Sequence, residues 1–315
     1  MSFLALLLGI FTLMELNCEN LFDTKHDSLK QDQEFLPESY HRWNDYRYWC
    51  KLEHIGQEIV SNDNLDNNTL PDLVALCEVE NDSVCRDLTK RSLLRTAGYE
   101  YIVTNSPDVR GVDVALLYQP SSFRPINHYS IRVAPILGMR STRDILYACG
   151  TLYNGDTLHV FVVHMPSRRG GEKASRPFRM CVAERLCESV DSIRNKNAQA
   201  NIIITGDFND YSGDKSIVRL SESGLLEISA GVEGRHGAKG TYKHKGRWGS
   251  LDHILCTSSL AARVKTCFVV DYPFLLESDK EYGGMKPFRN FNGFKWQNGF
   301  SDHLPLIAQF EIADF

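Results

Sequence analysis

No Cys-x-x-Cys pair occurs among the nine cysteines of this chain, which argues against a structural zinc site. Their odd number and their scatter through apolar stretches fit buried thiols better than a disulfide framework. Internal repeats, low-complexity tracts and a Pro/Ser-rich linker are missing as well, so neither a repeat array nor a linker-joined assembly is expected. An excess of positive charge is lacking. Lys plus Arg is 35 against 40 Asp plus Glu, a formal net charge of −5. That excludes a polycationic nucleic-acid coat protein, whose affinity rests on phosphate neutralisation, and leaves a local basic groove open.

No apolar run reaches the roughly 20 residues that a membrane-spanning helix needs. The most apolar stretch, Phe3 to Met14, has no Lys or Arg before it and no clean small-residue cleavage site after it. It runs straight into Glu15-Leu16-Asn17 and is read as a buried strand. The alternative is a signal or anchor remnant over about the first ten residues, fused to that strand. No transmembrane span is expected; localisation is left open with cytoplasmic favoured over exported, and the chain is read as one domain over residues 1–315 with no obligate protein partner.

What is present is an ordinary globular composition, 43% hydrophobic and 24% charged over 315 residues. A chain of this length buries about three quarters of its unfolded surface, so a deep core needs no staples. Short apolar runs recur at Ile10–Leu16, Leu73–Cys77, Val112–Tyr118, Leu158–Val163, Asn201–Thr205, Leu251–Cys256 and Leu304–Phe310. Rich in Val, Ile and Leu and bounded by turn residues, they read as buried strands. Helical spacing appears over 43–60 (Leu52, Ile55, Ile59) and over 83–97, where Gly98 is the expected stop. A third helix is expected to open at Ser175-Arg176-Pro177 and to carry Phe178, Val182, Leu186, Val190 and Ile193. The sum is a layered α/β or α+β fold. Segment 24–50 lacks strand character and is dense in aromatics; packing at a helix start is the expectation, a substrate-facing lid the alternative.

The informative pattern is where polar residues stand relative to the strands. Asn17, Glu78 and His164 each close an apolar run. Asp207 and Asn209 follow Ile202-Ile203-Ile204, Asp252 lies in Leu251-Asp252-His253-Ile254, and Asp302-His303 precedes Leu304. Singly, each has a plain structural explanation, a turn-forming Asn or Asp or a hydrogen-bonded His. Repeated at strand end after strand end, they point to one cleft, because open sheets place ligand sites there. Gathered carboxylates stay ionised only beside a cation or other positive partners. Carboxylates with an Asn amide oxygen form a hard donor set suited to Mg²⁺ or Mn²⁺ rather than Zn²⁺. Such a site suits phosphoryl chemistry.

Competing motifs are absent: there is no G-x-S-x-G elbow, H-E-x-x-H pair or G-x-x-x-x-G-K-[ST] loop. Ser301-Asp302-His303 spells a hydrolase triad in a row, but adjacent side chains diverge and cannot form its relay.

Taken in order, seven segments resemble the endonuclease/exonuclease/phosphatase superfamily, the deoxyribonuclease-I-like fold. They are Asn17-Cys18-Glu19-Asn20-Leu21-Phe22-Asp23, Cys77-Glu78-Val79-Glu80-Asn81, Arg110-Gly111-Val112-Asp113-Val114-Ala115-Leu116-Leu117-Tyr118, His164-Met165-Pro166-Ser167-Arg168-Arg169-Gly170-Gly171, Gly206-Asp207-Phe208-Asn209-Asp210, Leu251-Asp252-His253-Ile254-Leu255 and Ser301-Asp302-His303. The first and fourth are similar to a bacterial branch of undefined substrate. The resemblance implies a four-layered sandwich, two mixed β-sheets face to face with helices outside. It implies Glu78 as principal metal ligand, helped by Asn17 and, on the far side, Asp302. Asp207 would position or deprotonate the attacking water, and Asn209 would hydrogen-bond a phosphate oxygen. His303, its ring fixed by Asp252, would contact the scissile phosphate, which His164 would face.

Two basic stretches, 166–179 and 235–247, flank these motifs, and Arg168 is the expected phosphate contact because a guanidinium pairs with phosphate oxygens in bidentate fashion. The expected activity is Mg²⁺-dependent hydrolysis of a phosphoester by in-line attack of water, with Mn²⁺ as an acceptable substitute. A phosphodiester (a nucleic acid or small diester) is favoured over a sugar or inositol monoester. The rival from another class is a catalytically silent binding module of the same fold.

Overall fold

Each large sheet is built around one parallel pair of strands, and the long helices decide which pair it is. The computed structural model describes residues 8–61 and 70–313. Most of the stretch that the alternative assigns to a signal or anchor remnant lies outside the described residues. From Leu8 onward the chain is strand.

Numbering the strands of the two large sheets in chain order, the first sheet holds β1 (Leu8–Leu21), β2 (Leu73–Val79), β3 (Glu100–Val103) and β4 (Asp113–Tyr118). It is completed by β11 (Val264–Val269) and β12 (Leu306–Ala313), in the order β11-β12-β1-β2-β4-β3. The second sheet holds β5 (Phe123–Ile131), β6 (Ile145–Leu152), β7 (Thr157–His164), β8 (Asn201–Asp207), β9 (Leu226–Glu227) and β10 (Asp252–Cys256), in the order β5-β6-β7-β8-β10-β9. A parallel neighbour requires a crossover connection. Helix α1 (Asp45–Val60) supplies it between β1 and β2, and helix α3 (Glu172–Arg194) between β7 and β8. All other pairings within the two sheets are antiparallel.

Alternation along the strands sets the layers. In β8, Ile202 and Ile204 pack with Val182, Leu186 and Val190 of α3, while Ile203 joins the core between the sheets. In β7, Phe161 and Val163 face α3, and Val160 and Val162 face inward. The outer face of the first sheet is covered by Leu52, Ile55 and Ile59 of α1 and by Val84 and Leu88 of α2 (Asp82–Lys90). The result is the expected four-layered sandwich. Each of these buried side chains contributes about 1.5–3 kcal/mol over an exposed one.

Local details depart from the expectation. Helix α3 begins at Glu172, one turn before Ser175, so Pro177 lies inside it and removes a backbone donor. The predicted 83–97 helix breaks into α2 and a 3-10 turn, Leu93–Thr96, whose start is capped by the Ser92 hydroxyl. The aromatic segment divides. Trp43 is fully buried with its indole nitrogen donating to the Phe22 carbonyl, and Tyr48 is buried against Asp87, while Tyr40 and Tyr46 remain exposed. All nine cysteines are free thiols, six of them buried.

Glu58, inside α1, is buried with neither carboxylate oxygen hydrogen-bonded. Burial pushes its pKa up to about 8, partly opposed by Lys51. The folded state therefore keeps a proton that the unfolded chain releases near the ordinary carboxylate range. Stability from this group is fully present at low pH and is lost as pH rises toward 8. Glu58→Gln is neutral throughout, so its melting temperature should gain a few degrees on the parent between pH 5 and pH 8. Parallel pH–melting curves for the two proteins contradict this.

Candidate active site

The two parallel pairs end at the same rim, and their last residues meet there. Along β7 and β8, His164 lies opposite Asp207; along β8 and β10, Asp207 lies opposite Asp252. The three sit side by side on the inward face of the second sheet. Gly206 makes this register attainable: its φ is +137°, and a Cβ there would fall 1.9 Å from the Val163 carbonyl oxygen. From the first sheet, Asn17 lies opposite Cys77 across the β1–β2 ladder. Its amide crosses the gap between sheets and donates to Asp207 Oδ2 at 3.0 Å.

Glu78 reaches the rim by a different device. Strict alternation after the inward-facing Cys77 would turn Glu78 toward the helices. Both ladders of β2 shift register here, and Glu78 takes a left-handed φ of 62°. Its Oε2 accepts from the Asn20 backbone at 2.9 Å, and its Oε1 lies 3.7 Å from His164 Nε2. The same His164 nitrogen is 3.5 Å from Asp207 Oδ2. Arg110 approaches Glu78 Oε1 to 3.6 Å from the solvent side.

His303 comes from the loop before β12. Its Nδ1 is 2.7 Å from Asp252 Oδ2, which also accepts from the Thr241 hydroxyl. The Ser301 hydroxyl accepts from the His303 backbone and donates to the Asn17 carbonyl, so this loop is tied to β1. The Tyr242 ring lies against His303 at 4.9 Å between centroids. Ligand atoms of Asp207, Asp252 and His303 all fall within 4.8 Å of one another.

The charges follow from the surroundings. Burial alone would push the His303 imidazole down, but Asp252, and after it Asp207 and Asp302, hold it well above its ordinary value. His164 goes the other way. Burial, reinforced by Arg143 and Arg110, keeps it well below the usual range and hence neutral. Asp207 is pushed up to about 7, by burial first and by Asp252 against the opposing pull of His303.

The remaining expected residues are placed less simply. The strand ends at Asp207, so Asn209 does not share its face through extended backbone. A left-handed φ of 52° folds it back, and its backbone N–H and side-chain amide donate to Asp207 at 2.8 and 3.2 Å. The same amide donates to the Met165 carbonyl, so in this geometry Asn209 orients Asp207. Asp302 pairs with Arg289, which also binds Glu19. Arg168 is turned onto Asp214 at 2.7 Å and Asp210 at 3.5 Å and lies over the Tyr211 ring. Both basic stretches take partners from elsewhere in this manner: Arg179 pairs with Asp210, and Lys243 with Asp279.

Sequence reasoning missed Glu19, Arg110 and Arg289, although the first two lie inside quoted motifs. It also missed Arg143, buried beneath the site. Arg143 donates to the His164 and Met165 carbonyls and pairs with Asp108 at 2.9 Å. Glu15, two residues before Asn17 on the same strand face, is fully buried with both oxygens unpartnered.

A hard divalent ion fits the donors present. Glu78 Oε1 is within hydrogen-bond range of no described group; Arg110 at 3.6 Å and His164 Nε2 at 3.7 Å are its charged neighbours. Asp302 Oδ2 has the Arg289 guanidinium as a displaceable partner. The Asp252–His303 end of the tight cluster is already joined by its own hydrogen bond, so Glu78 is the better anchor for an ion. Asp252→Asn should bring the His303 titration down, because the burial cost then acts with less opposition; nitrogen-15 NMR of the ring measures it. An unshifted titration would show that Asp252 does not set the charge.

The sequence profile described as "Endonuclease/Exonuclease/phosphatase family" matches residues 12–312. No curated protein sequence matches the chain. Among solved structures, an endonuclease/exonuclease/phosphatase family protein from Bacteroides thetaiotaomicron is 17% identical, with 97% of this chain and 98% of that one covered and a TM-score of 0.64. The mannosyl-6-phosphatase Bt3783 of Bacteroides thetaiotaomicron is 18% identical over 97% of this chain and 100% of that one, with a TM-score of 0.62. The human Nocturnin catalytic domain, solved with a sulfate anion, is 17% identical over 96% and 97%, with a TM-score of 0.56. At these identities the likeness establishes the fold.

Proposed function

The chain belongs to the endonuclease/exonuclease/phosphatase family of phosphoester hydrolases, and from that premise we propose that it is a Mg²⁺-dependent phosphodiesterase. The observation that carries this reading is the placement of His164 Nε2 between Glu78 and Asp207, with His303 and Asp252 alongside. A phosphate bound at this rim would face His164, Asp207 and His303, with Asp252 on the far side of the His303 ring.

The roles follow from the charges. Asp207, buried with its pKa near neutrality, accepts a proton from a water aligned with the phosphorus. Asn17 and Asn209 hold that carboxylate from two sides. His303 carries a positive charge fixed by Asp252 and faces the negative charge that builds on the phosphate oxygens. Neutral His164 contributes a hydrogen bond rather than a charge. Glu78, with Asn17 and Asp302, would hold the divalent ion, which when bound neutralises phosphate charge and polarises an oxygen. In phosphoryl transfer the protein mainly positions and neutralises, and this set of residues does both.

A monoesterase is the second reading, favoured by the mannosyl-6-phosphatase among the structures of similar fold. Turnover of bis-p-nitrophenyl phosphate against p-nitrophenyl phosphate with Mg²⁺ separates the two. Chelation should abolish hydrolysis, and Mg²⁺ or Mn²⁺ should restore it. Asp207→Asn or His303→Ala should lower kcat by about two to four orders of magnitude. Turnover retained in either folded variant overturns the role given to that residue, and no Mg²⁺-dependent turnover of either ester overturns the hydrolase reading.

A further inference from the structure

Beside the site lies a cavity of about 740 Å³, within the size range of small-ligand pockets. Its wall adjoins the reaction centre through residues that touch it. Asn20, whose backbone holds Glu78, lines it, as do Arg110 beside Glu78 and Arg289 beside Asp302. The cavity is lined by five arginines in a chain of net charge −5. Two of them are neutralised in place, Arg143 by Asp108 and Arg289 by Glu19. Arg140 and Arg169, from two separate loops, are exposed and have no ion-pair or hydrogen-bond partner among the described residues. Glu34 is the one lining carboxylate likewise unpaired among them. Ring surface is available on the same walls: Phe35 and Phe178 are both partly exposed, and Phe35 stacks on Phe22 at 4.3 Å.

Uncompensated guanidinium groups at a cavity wall attract an anion, and their planar fork suits phosphate. Part-exposed aromatic rings favour a flat or cyclic group set against them. Resting on the hydrolase reading, we propose that this cavity is a second-phosphate subsite: the substrate is a ring-bearing phosphoester that carries, besides the scissile phosphate, a further phosphate held by Arg140 and Arg169. A nucleotide and a phosphorylated sugar both present that chemistry, and they are told apart by the substrates used.

The test compares substrates differing by one phosphate, with Mg²⁺: the dinucleotide pApA against ApA, and glucose 1,6-bisphosphate against glucose 6-phosphate. The extra phosphate should lower KM by about tenfold or more in one pair, the scale of a charge-assisted contact. That advantage should disappear in the Arg140→Gln/Arg169→Gln double variant, in which both changes fall on exposed loop positions. The nucleotide pair responding identifies a nucleotide substrate; the sugar pair, a phosphosugar. No advantage in either pair, or an advantage that survives in the double variant, overturns the subsite. If none of the four compounds is turned over, the hydrolase reading fails for them, and calorimetric binding of pApA and of glucose 1,6-bisphosphate without metal decides the subsite. Binding that the double variant loses supports it; no binding, or binding that the variant keeps, overturns it.

Discussion

The hydrogen bond from Asn17 to Asp207 is the point on which the site depends. It joins two strands in different sheets, separated by 190 positions in the chain. Everything assembled on the first sheet, Glu78 and Glu19 included, is thereby placed against His164, Asp207 and Asp252 on the second. The two βαβ crossovers make this geometry natural. Each directs a parallel pair toward the same end of the sandwich, and ligand sites in α/β sheets gather at the carboxyl ends of such strands. The Ser301 hydroxyl, bonded to the Asn17 carbonyl, attaches the His303 loop to that junction.

The rim concentrates acids in a poorly hydrated place, and the structure answers each differently. Asp252 Oδ2 is held by His303 and Thr241 while its Oδ1 has no hydrogen-bond partner, Glu19 is held by Arg289 and the Asn290 backbone, and Asp207 by two asparagines. Even so, burial pushes the Glu19 and Asp207 carboxyls up to about 7 and holds Glu15 well above its ordinary value. A cation bound at Glu78 would relieve part of this repulsion. Asp207 is among the acids that make the protein sensitive to rising pH and, under the proposed function, is also the one that takes a proton from water.

The layering and most strands were legible because alternation and apolar runs report burial directly. Strands β3, β5, β6, β9 and β11 were not. Strand β5 is an edge strand whose middle residues are exposed, so Arg124 to Ser130 carry no apolar run, and Ala148-Cys149-Gly150 interrupts β6. At the site, Asn17, His164, Asp207 and Asp252 could be found because each stands beside or within an apolar run. Glu78 sat in a recognisable motif, yet its direction depends on a bulge that no periodicity reveals. Arg168 illustrates the opposite error. A basic residue beside a motif looks available until the fold supplies Asp210 and Asp214, more than 40 positions away, as its partners. The cavity arginines left without partners among the described residues, Arg140 and Arg169, could be identified only after the pairings of the others were known.

The central claim is that one divalent ion binds at the Glu78 corner of this rim, apart from the Asp252–His303 pair. Calorimetric titration of Mn²⁺ into the wild-type protein, Glu78→Gln and Asp252→Asn tests it most directly. A single site lost in Glu78→Gln and kept in Asp252→Asn is the predicted result. Binding that survives Glu78→Gln, or that fails only when Asp252 is changed, would contradict it.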